Sequence, residues 1–344
     1  MYRVGIIGCG KIFPRHLEAI EFNKEFSLVS ICDTDNGKIN SLKGRFNIYK
    51  DFKEMIQSED IDLVVIATPN SQHFPQALYC LQNQCDILIE KPATLKPIEL
   101  KILQSEAQKY NQKAYVVLQV RLNPVIQNLK EILENNLLGT IRGVNLIQRW
   151  QRPMNYFEDW RGQPLVGGGT LHECGIHYLD IICYLFGKPN PIATQVYNIK
   201  HKDTEIEDTI YSLIDFGNYG GTIEVTIAAE PRNLECSLSI LGSDGYIKIG
   251  GKALERIIEA KFSEKTSMEK FNKIFKKTPL SLPPNHYMEY KGSCPNHPDL
   301  YAQLEKFELK ETIPVLELID EIYELCNIQY YDGVHDTEST IKEY

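Results

Sequence analysis

A chain of 344 residues, 43% hydrophobic and 24% charged, holds enough apolar material for about two globular domains of ~100–200 residues each. Its net charge of −9 argues against a nucleic-acid or anionic-membrane partner, and no apolar run approaches the ~20 residues of a membrane span. Nine cysteines without a C-x-x-C pair point to reduced, mostly buried thiols, and Met1 leads straight into a strand without room for a signal peptide, so a cytoplasmic chain is expected.

In chain order, the first three dozen residues read strand, glycine turn, helix, strand, acid. Residues 3–7 are an apolar run, Gly8-Cys9-Gly10 is a turn, and residues 11–22 carry apolar side chains at helical spacing. Residues 26–32 form a second apolar run that ends on Asp33. A dinucleotide-binding βαβ unit requires that order: glycines let the backbone approach a pyrophosphate at a helix N-terminus, and a strand-end acid accepts hydrogen bonds from a ribose. Gly8, Gly10, Lys11, Ile12 and Asp33 are thus candidate cofactor contacts. The third small residue of the fingerprint is replaced by Phe13, so helix and strand must pack there less closely or differently. The alternative is a parallel α/β domain whose glycines serve only the turn.

The alternation continues with helices expected over 36–46, 52–57, 71–83 and 97–110, and strands over 48–49, 62–67, 86–89 and 114–120. Six strands joined by helical crossovers make a doubly wound parallel sheet, placed at residues 1–121. Thr68-Pro69-Asn70 and Glu90-Lys91-Pro92 follow two of these strands at the carboxyl edge, where open α/β sheets bind ligands, and His73 lies within reach of that edge. Beyond residue 121 a helix over 123–135, a strand over 142–150 and a helix over 170–186 lead into short runs of period two as far as residue 249. They predict an α+β domain over 122–330 with an open-faced, mostly antiparallel sheet. Residues 251–300 read as loops and short helices, 313–325 as a last amphipathic helix, and 331–344 as a polar tail.

Lys91, at the end of a buried strand, is either a partly desolvated proton donor or acceptor or a surface lysine paired with Glu90. Glu173 and His177, four apart on one helical face, are either an acid–base pair, a capping acid with a core histidine, or a metal pair completed by His172. No H-E-x-x-H or paired-cysteine spacing supports metal, and none is expected. Arg121, Arg152, Tyr156, Trp160 and Arg161 give the inter-domain segment a cationic, aromatic character suited to a sugar or phosphate ligand, with interface packing as the alternative.

Gly8-Cys9-Gly10, Asp33, Ala67-Thr68-Pro69-Asn70 with His73, Glu90-Lys91-Pro92, and Gly167-Gly168-Gly169 followed by Glu173-x-Gly175-x-His177 together resemble the glucose-fructose oxidoreductase, inositol dehydrogenase and MocA superfamily. The resemblance runs from residue 1 to about residue 250, with the stretch from Glu317 similar to the family's closing helix. It implies a Rossmann domain followed by an open-faced sheet domain, and hydride transfer between NAD(P) and a sugar or cyclitol. Lys91 matches the family's catalytic lysine and His177 its catalytic histidine, while Glu173 stands where many members carry Asp. Asp33 implies NAD over NADP, because a carboxylate repels a 2′-phosphate. Residues 117–130 and Trp160-Arg161-Gly162 look closest to the enzymes that oxidise C3 of UDP-N-acetylglucosaminuronate in bacterial surface-polysaccharide pathways. The alternatives are an inositol or free-sugar dehydrogenase, or a non-catalytic sensor on the same scaffold. The resemblance also implies a homodimer or homotetramer formed through the second-domain sheet.

Overall fold

The computed structural model describes residues 1–40, 42–275 and 296–328. Six strands, β1 (Tyr2–Ile7), β2 (Phe26–Cys32), β3 (Asn47–Tyr49), β4 (Leu63–Ile66), β5 (Asp86–Ile89) and β6 (Ala114–Val116), pair in parallel in the order β3-β2-β1-β4-β5-β6. All four residues of β4 are buried, as expected of a strand covered by helices on both faces. The strand order reverses between β1 and β4, and the crevice beyond their carboxyl ends is where such sheets take a ligand.

The second sheet comprises β7 (Ile141–Arg149), β8 (Asn190–Tyr197), β9 (Thr209–Asp215), β10 (Gly220–Thr226), β11 (Glu235–Gly242), β12 (Gly245–Gly250) and β13 (Arg256–Phe262). Its order is β13-β12-β11-β7-β10-β9-β8, antiparallel throughout except for the parallel pair β7 and β10. Alternation along β9 sends Ile210 and Ile214 into the core and leaves Tyr211 and Leu213 exposed, so one face of the sheet is open.

Three expectations need correction. The helix expected over 36–46 stops at Asn40, and Gly44 takes a positive φ of 84° in the turns that follow. The region expected to be loops and short helices holds the edge strand β13 and the helix Lys265–Phe275, whose Phe271 and Phe275 are buried one turn apart. Residues 170–186 do not form a single α-helix: Leu171–Gly175 is a π-turn, and α-helix resumes over Ile176–Phe186. The proline-rich piece at 283–284 and the tail at 331–344 lie outside the described residues.

Residues 296–308 return to the first sheet. Val116 N–H on β6 donates to Phe307 C=O at 2.9 Å, Asn23 Nδ2 at the C-terminal cap of the first helix, Phe13–Phe22, donates to Pro298 C=O at 3.0 Å, and Asn296 Nδ2 donates to Gln119 C=O at 3.1 Å. Among the described residues, no helix is long and apolar enough to cross a membrane.

Candidate active site

The glycine turn has the shape of a phosphate cradle. Gly8 has φ +99°, and a Cβ there would lie 2.4 Å from Ala67 C=O; above Gly10 nothing comes within 4 Å of a Cβ position. The helix Phe13–Phe22 begins without a side-chain cap or an acid in its first turn, which leaves its N-terminus suited to an anion. Phe13 opens that helix and is buried in the core, the packing solution adopted where the fingerprint has a small residue. Lys11 is exposed and Ile12 half-buried beside the turn. Asp33 Oδ2 accepts from Cys9 N–H at 2.8 Å and lies 3.5 Å from Lys38 Nζ, while Oδ1 accepts from Asp35 N–H at 2.9 Å, so the acid is held at the strand end.

The loops after β4 and β5 are tied together. His73, 1% exposed, sets Nδ1 2.7 Å from Pro92 C=O and Nε2 2.9 Å from Thr68 C=O. Burial pushes its pKa below the ordinary value against the pull of those carbonyls. Its ring is spent on the protein's own backbone, which corrects the expectation of a direct cofactor contact. Thr68 Oγ1 donates to Gln76 Oε1 at 2.7 Å, and past Pro69 the buried Asn70 donates through Nδ2 to Gly167 C=O at 2.8 Å, bridging to the glycine triplet.

Glu90 is also turned inward. Its Oε1 lies 3.1 Å from His16 Nε2 and 3.6 Å from His297 Nε2, and its Oε2 accepts from Lys91 N–H at 3.1 Å. Burial opposes the charge, but the two imidazoles outweigh it and hold the carboxyl well below its usual range. A cofactor role for the Glu90 side chain is therefore corrected to a structural one. The Lys91–Pro92 peptide is cis.

Lys91 Nζ instead crosses to the second domain, where it donates to Glu173 C=O at 3.0 Å and lies 3.6 Å from Glu173 Oε2. Glu173 Oε1 accepts from Tyr156 O–H at 2.9 Å and from Arg161 Nε at 3.1 Å. Burial raises its pKa, yet the charges of Lys91 and Arg161 and these hydrogen bonds bring it below the ordinary value. His177, half-buried in the turn that follows, is pushed down to about 3, first by burial and then by the charge of Lys91. It is a neutral imidazole at physiological pH.

The π-turn beneath this group is fixed from outside. Thr170 N–H donates to Glu207 Oε1 at 2.7 Å, Leu171 N–H to Tyr323 Oη at 3.0 Å, and Tyr323 O–H to Glu207 Oε1 at 2.7 Å. Single π-turns inside helices recur at functional sites. His172 stacks on Tyr323 at 5.6 Å and is pushed by burial to about 4; its Nδ1 accepts from Gly169 N–H, so it does not complete a metal pair with Glu173 and His177.

The cationic segment divides in two. Arg152 stacks on Trp150 and Tyr156 at 4.7 and 5.2 Å, and Arg161 on Trp160 and Tyr156 at 4.5 and 5.3 Å, so Arg152, Tyr156, Trp160 and Arg161 gather beside Glu173. Arg121 does not join them. It is 4% exposed, its Nε and Nη2 grip Asp180 at 2.9 and 2.7 Å, and its Nη1 meets Glu311 Oε2 at 3.0 Å, so the substrate contact expected of it is corrected to a buried ion pair.

Sequence reasoning missed His16, His297, Glu207 and Tyr323, none of which lies in a motif. Among the described residues, donor atoms of His16, Glu90 and His297 lie within 4.8 Å of one another, a spacing that could hold a metal ion. One carboxylate would then have to offset the ion in a setting where burial, and after it the charge of the Arg15 guanidinium, already depresses His297, which does not favour a dication.

Residues 2–118 match the family model described as the oxidoreductase family, NAD-binding Rossmann fold, and residues 126–248 match the GFO/IDH/MocA C-terminal domain. The WlbA dehydrogenase from Chromobacterium violaceum, solved in complex with NADH and UDP-GlcNAcA, superimposes with a TM-score of 0.84 at 26% identity, covering 95% of this chain and 94% of that one. The WlbA dehydrogenase from Bordetella pertussis, in complex with the same two ligands, gives a TM-score of 0.82 at 25% identity, with 95% of each chain covered. The D-glucoside 3-dehydrogenase of Escherichia coli (strain K12) is 24% identical over 237 residues, 63% of this chain and 68% of its own.

Proposed function

The chain belongs to the GFO/IDH/MocA family of NAD-dependent sugar and polyol oxidoreductases, and on that premise we propose that its substrate is a nucleotide sugar, UDP-N-acetylglucosaminuronate, oxidised at the C3 hydroxyl for bacterial surface-polysaccharide synthesis. The observation that carries this reading is the meeting of Lys91 with Glu173 at the carboxyl edge of the first sheet, walled by Arg152 and Arg161 on their aromatic partners. Guanidinium groups stacked on rings suit a ligand that carries a carboxylate and a diphosphate. The 95% coverage shared with two dehydrogenases that bind UDP-GlcNAcA supports the same substrate class.

Gly8, Gly10 and the backbone of Lys11 and Ile12 would hold the pyrophosphate of NAD, and Asp33 the adenosine ribose. When bound, NAD supplies the hydride acceptor. The protein's own part is proton handling. The Lys91 ammonium hydrogen-bonds the sugar oxygen, and the neutral imidazole of His177 takes the hydroxyl proton in passing and releases it to solvent as the carbonyl forms. Glu173 balances the charge of Lys91 and Arg161 and leaves the relay in place once the proton has moved. The exposed row of Tyr211 and Leu213 on the open sheet is the surface we assign to self-association into a dimer or tetramer.

The test is NAD reduction at 340 nm with UDP-N-acetylglucosaminuronate, UDP-N-acetylglucosamine, D-glucose and myo-inositol side by side. Turnover with the uronate alone is expected. Turnover with free glucose or inositol and none with the UDP-sugars would replace the reading with a free-sugar or cyclitol dehydrogenase, and reduction with none of them would favour the non-catalytic sensor.

A further inference from the structure

Lys91 is approached from behind by side chains that no part of the proposed chemistry uses. Glu90, 7% exposed, gives one carboxylate oxygen to Lys91 N–H at 3.1 Å and the other to His16 Nε2 at 3.1 Å, with His297 Nε2 facing that same oxygen at 3.6 Å, an electrostatic contact beyond hydrogen-bond length. His16 is fully buried, and its Nδ1 lies 2.9 Å from Tyr301 Oη. A single neutral tautomer satisfies both ends of that ring: Nε2–H donates to Glu90, and Nδ1 accepts from Tyr301 O–H. His297 is 2% exposed, and its ring meets His16 edge-on at 5.5 Å.

These groups come from three places in the chain. His16 lies on the first helix, Glu90 at the end of β5, and His297 and Tyr301 on the helix His297–Tyr301 that returns from the second domain. Asn296 anchors that returning helix through Gln119 C=O and Asn123 Oδ1, at 3.1 and 3.0 Å. A carboxylate gripped on both oxygens cannot rotate, so the amide it accepts from is fixed as well. Packing alone does not call for such an arrangement: an ionised carboxylate is costly to bury, and apolar side chains would fill the same space.

We propose that His16 and His297 are positioning residues that act through Glu90 to hold the Lys91 backbone, and with it the direction from which Nζ reaches Glu173 and the substrate oxygen. The inference rests on the reading of Lys91 as a proton-handling group. It makes the returning helix a functional component of the site, although none of its residues touches the reacting atoms.

The test uses the full-length chain in four forms: unmodified, His297→Leu, His297→Gln and Lys91→Met. One readout needs no substrate: the pH dependence of acetic anhydride labelling of the Lys91 amine, followed by mass spectrometry. His297→Leu is expected to move the labelling midpoint by about one pH unit and to lower turnover by roughly 10–100-fold, the scale of a small misplacement of a catalytic group. NAD affinity, read by quenching of protein fluorescence, should stay within about twofold, since the glycine turn is untouched. His297→Gln places a polar N–H group facing Glu90 and should recover most of both effects; it also serves as the test variant if the leucine form fails to fold. An unmoved labelling midpoint, or equal losses of NAD affinity and turnover that glutamine does not rescue, would overturn the proposal. Lys91→Met separates the two ideas. If it leaves NAD reduction intact, the proton-handling role falls, while the labelling result still decides whether His297 positions Lys91.

Discussion

Lys91 touches Glu173 at two points, the backbone carbonyl at 3.0 Å and the carboxylate at 3.6 Å, so one ammonium joins the end of β5 to the π-turn of the other domain. Acid–base assistance of this kind is worth on the order of 10²–10⁴-fold in rate. Lys91→Met is expected to reduce turnover by that factor while the NAD dissociation constant stays nearly unchanged. Steady-state NAD reduction together with a binding titration checks both halves, and a loss confined to NAD affinity would refute the role.

His177 gives a pH dependence with a defined sign. Its pKa falls from an ordinary 6.5 in the unfolded chain to about 3 in the folded one, so between those values the unfolded state binds more protons. Its contribution to stability is fully present above pH 6.5 and is lost as the pH falls toward 3. The stability of the unmodified chain relative to His177→Gln should therefore decline over that window and level off above it. Urea denaturation at pH 4, 5, 6 and 7.5 measures the difference, and a constant gap would show that the imidazole is not kept neutral.

The proposed preference for NAD over NADP rests on Asp33. Its carboxylate is fixed by Cys9 N–H at 2.8 Å, with Lys38 3.5 Å away offsetting part of the charge. Two unit charges 4 Å apart interact by about 1–4 kcal/mol between bulk water and a protein surface, which corresponds to roughly fivefold or more in affinity. Asp33→Ala should thus shift the ratio of NADP to NAD affinity toward NADP by at least roughly fivefold. Paired titrations decide it, and an unchanged ratio would remove Asp33 from the selection.

Arg121 is expected to matter for stability and not for substrate binding. Breaking a buried ion pair by removing one partner costs about 3–5 kcal/mol, because the remaining charge is stranded. Arg121→Met should destabilise the chain by that amount at pH 7 while the Michaelis constant for the sugar stays within about twofold. A loss under about 1 kcal/mol in urea melts, or a selective rise in the Michaelis constant, would restore the substrate role.

How much was legible follows from the range of the interactions involved. The first sheet could be read strand by strand, because β4 is apolar throughout, β1 and β5 turn apolar toward their carboxyl ends, and all three are ended by loops with distinctive residues. The carboxyl-edge positions of Thr68 and Lys91 came with it. Contacts across the chain did not. Arg121 looked available because its partners lie 59 and 190 residues further on, and Glu90 looked like a partner for Lys91 Nζ because His16 and His297 belong to no motif. The π-turn was equally hidden: its first amides are engaged by Glu207 and Tyr323, and local periodicity carries no trace of either. β13 escaped notice because, as an edge strand, it alternates only weakly between buried and exposed positions.

Val116 waits for Phe307. The amide of the last parallel strand finds its acceptor almost two hundred positions later, so the nucleotide-binding half emerges from the ribosome with one side of its sheet unpaired. A bare strand edge is a template for pairing with other chains. An excised fragment ending near residue 121 would keep every motif for binding NAD and still be expected to self-associate, and the seal it lacks is the segment that also delivers His297 to the back of Lys91.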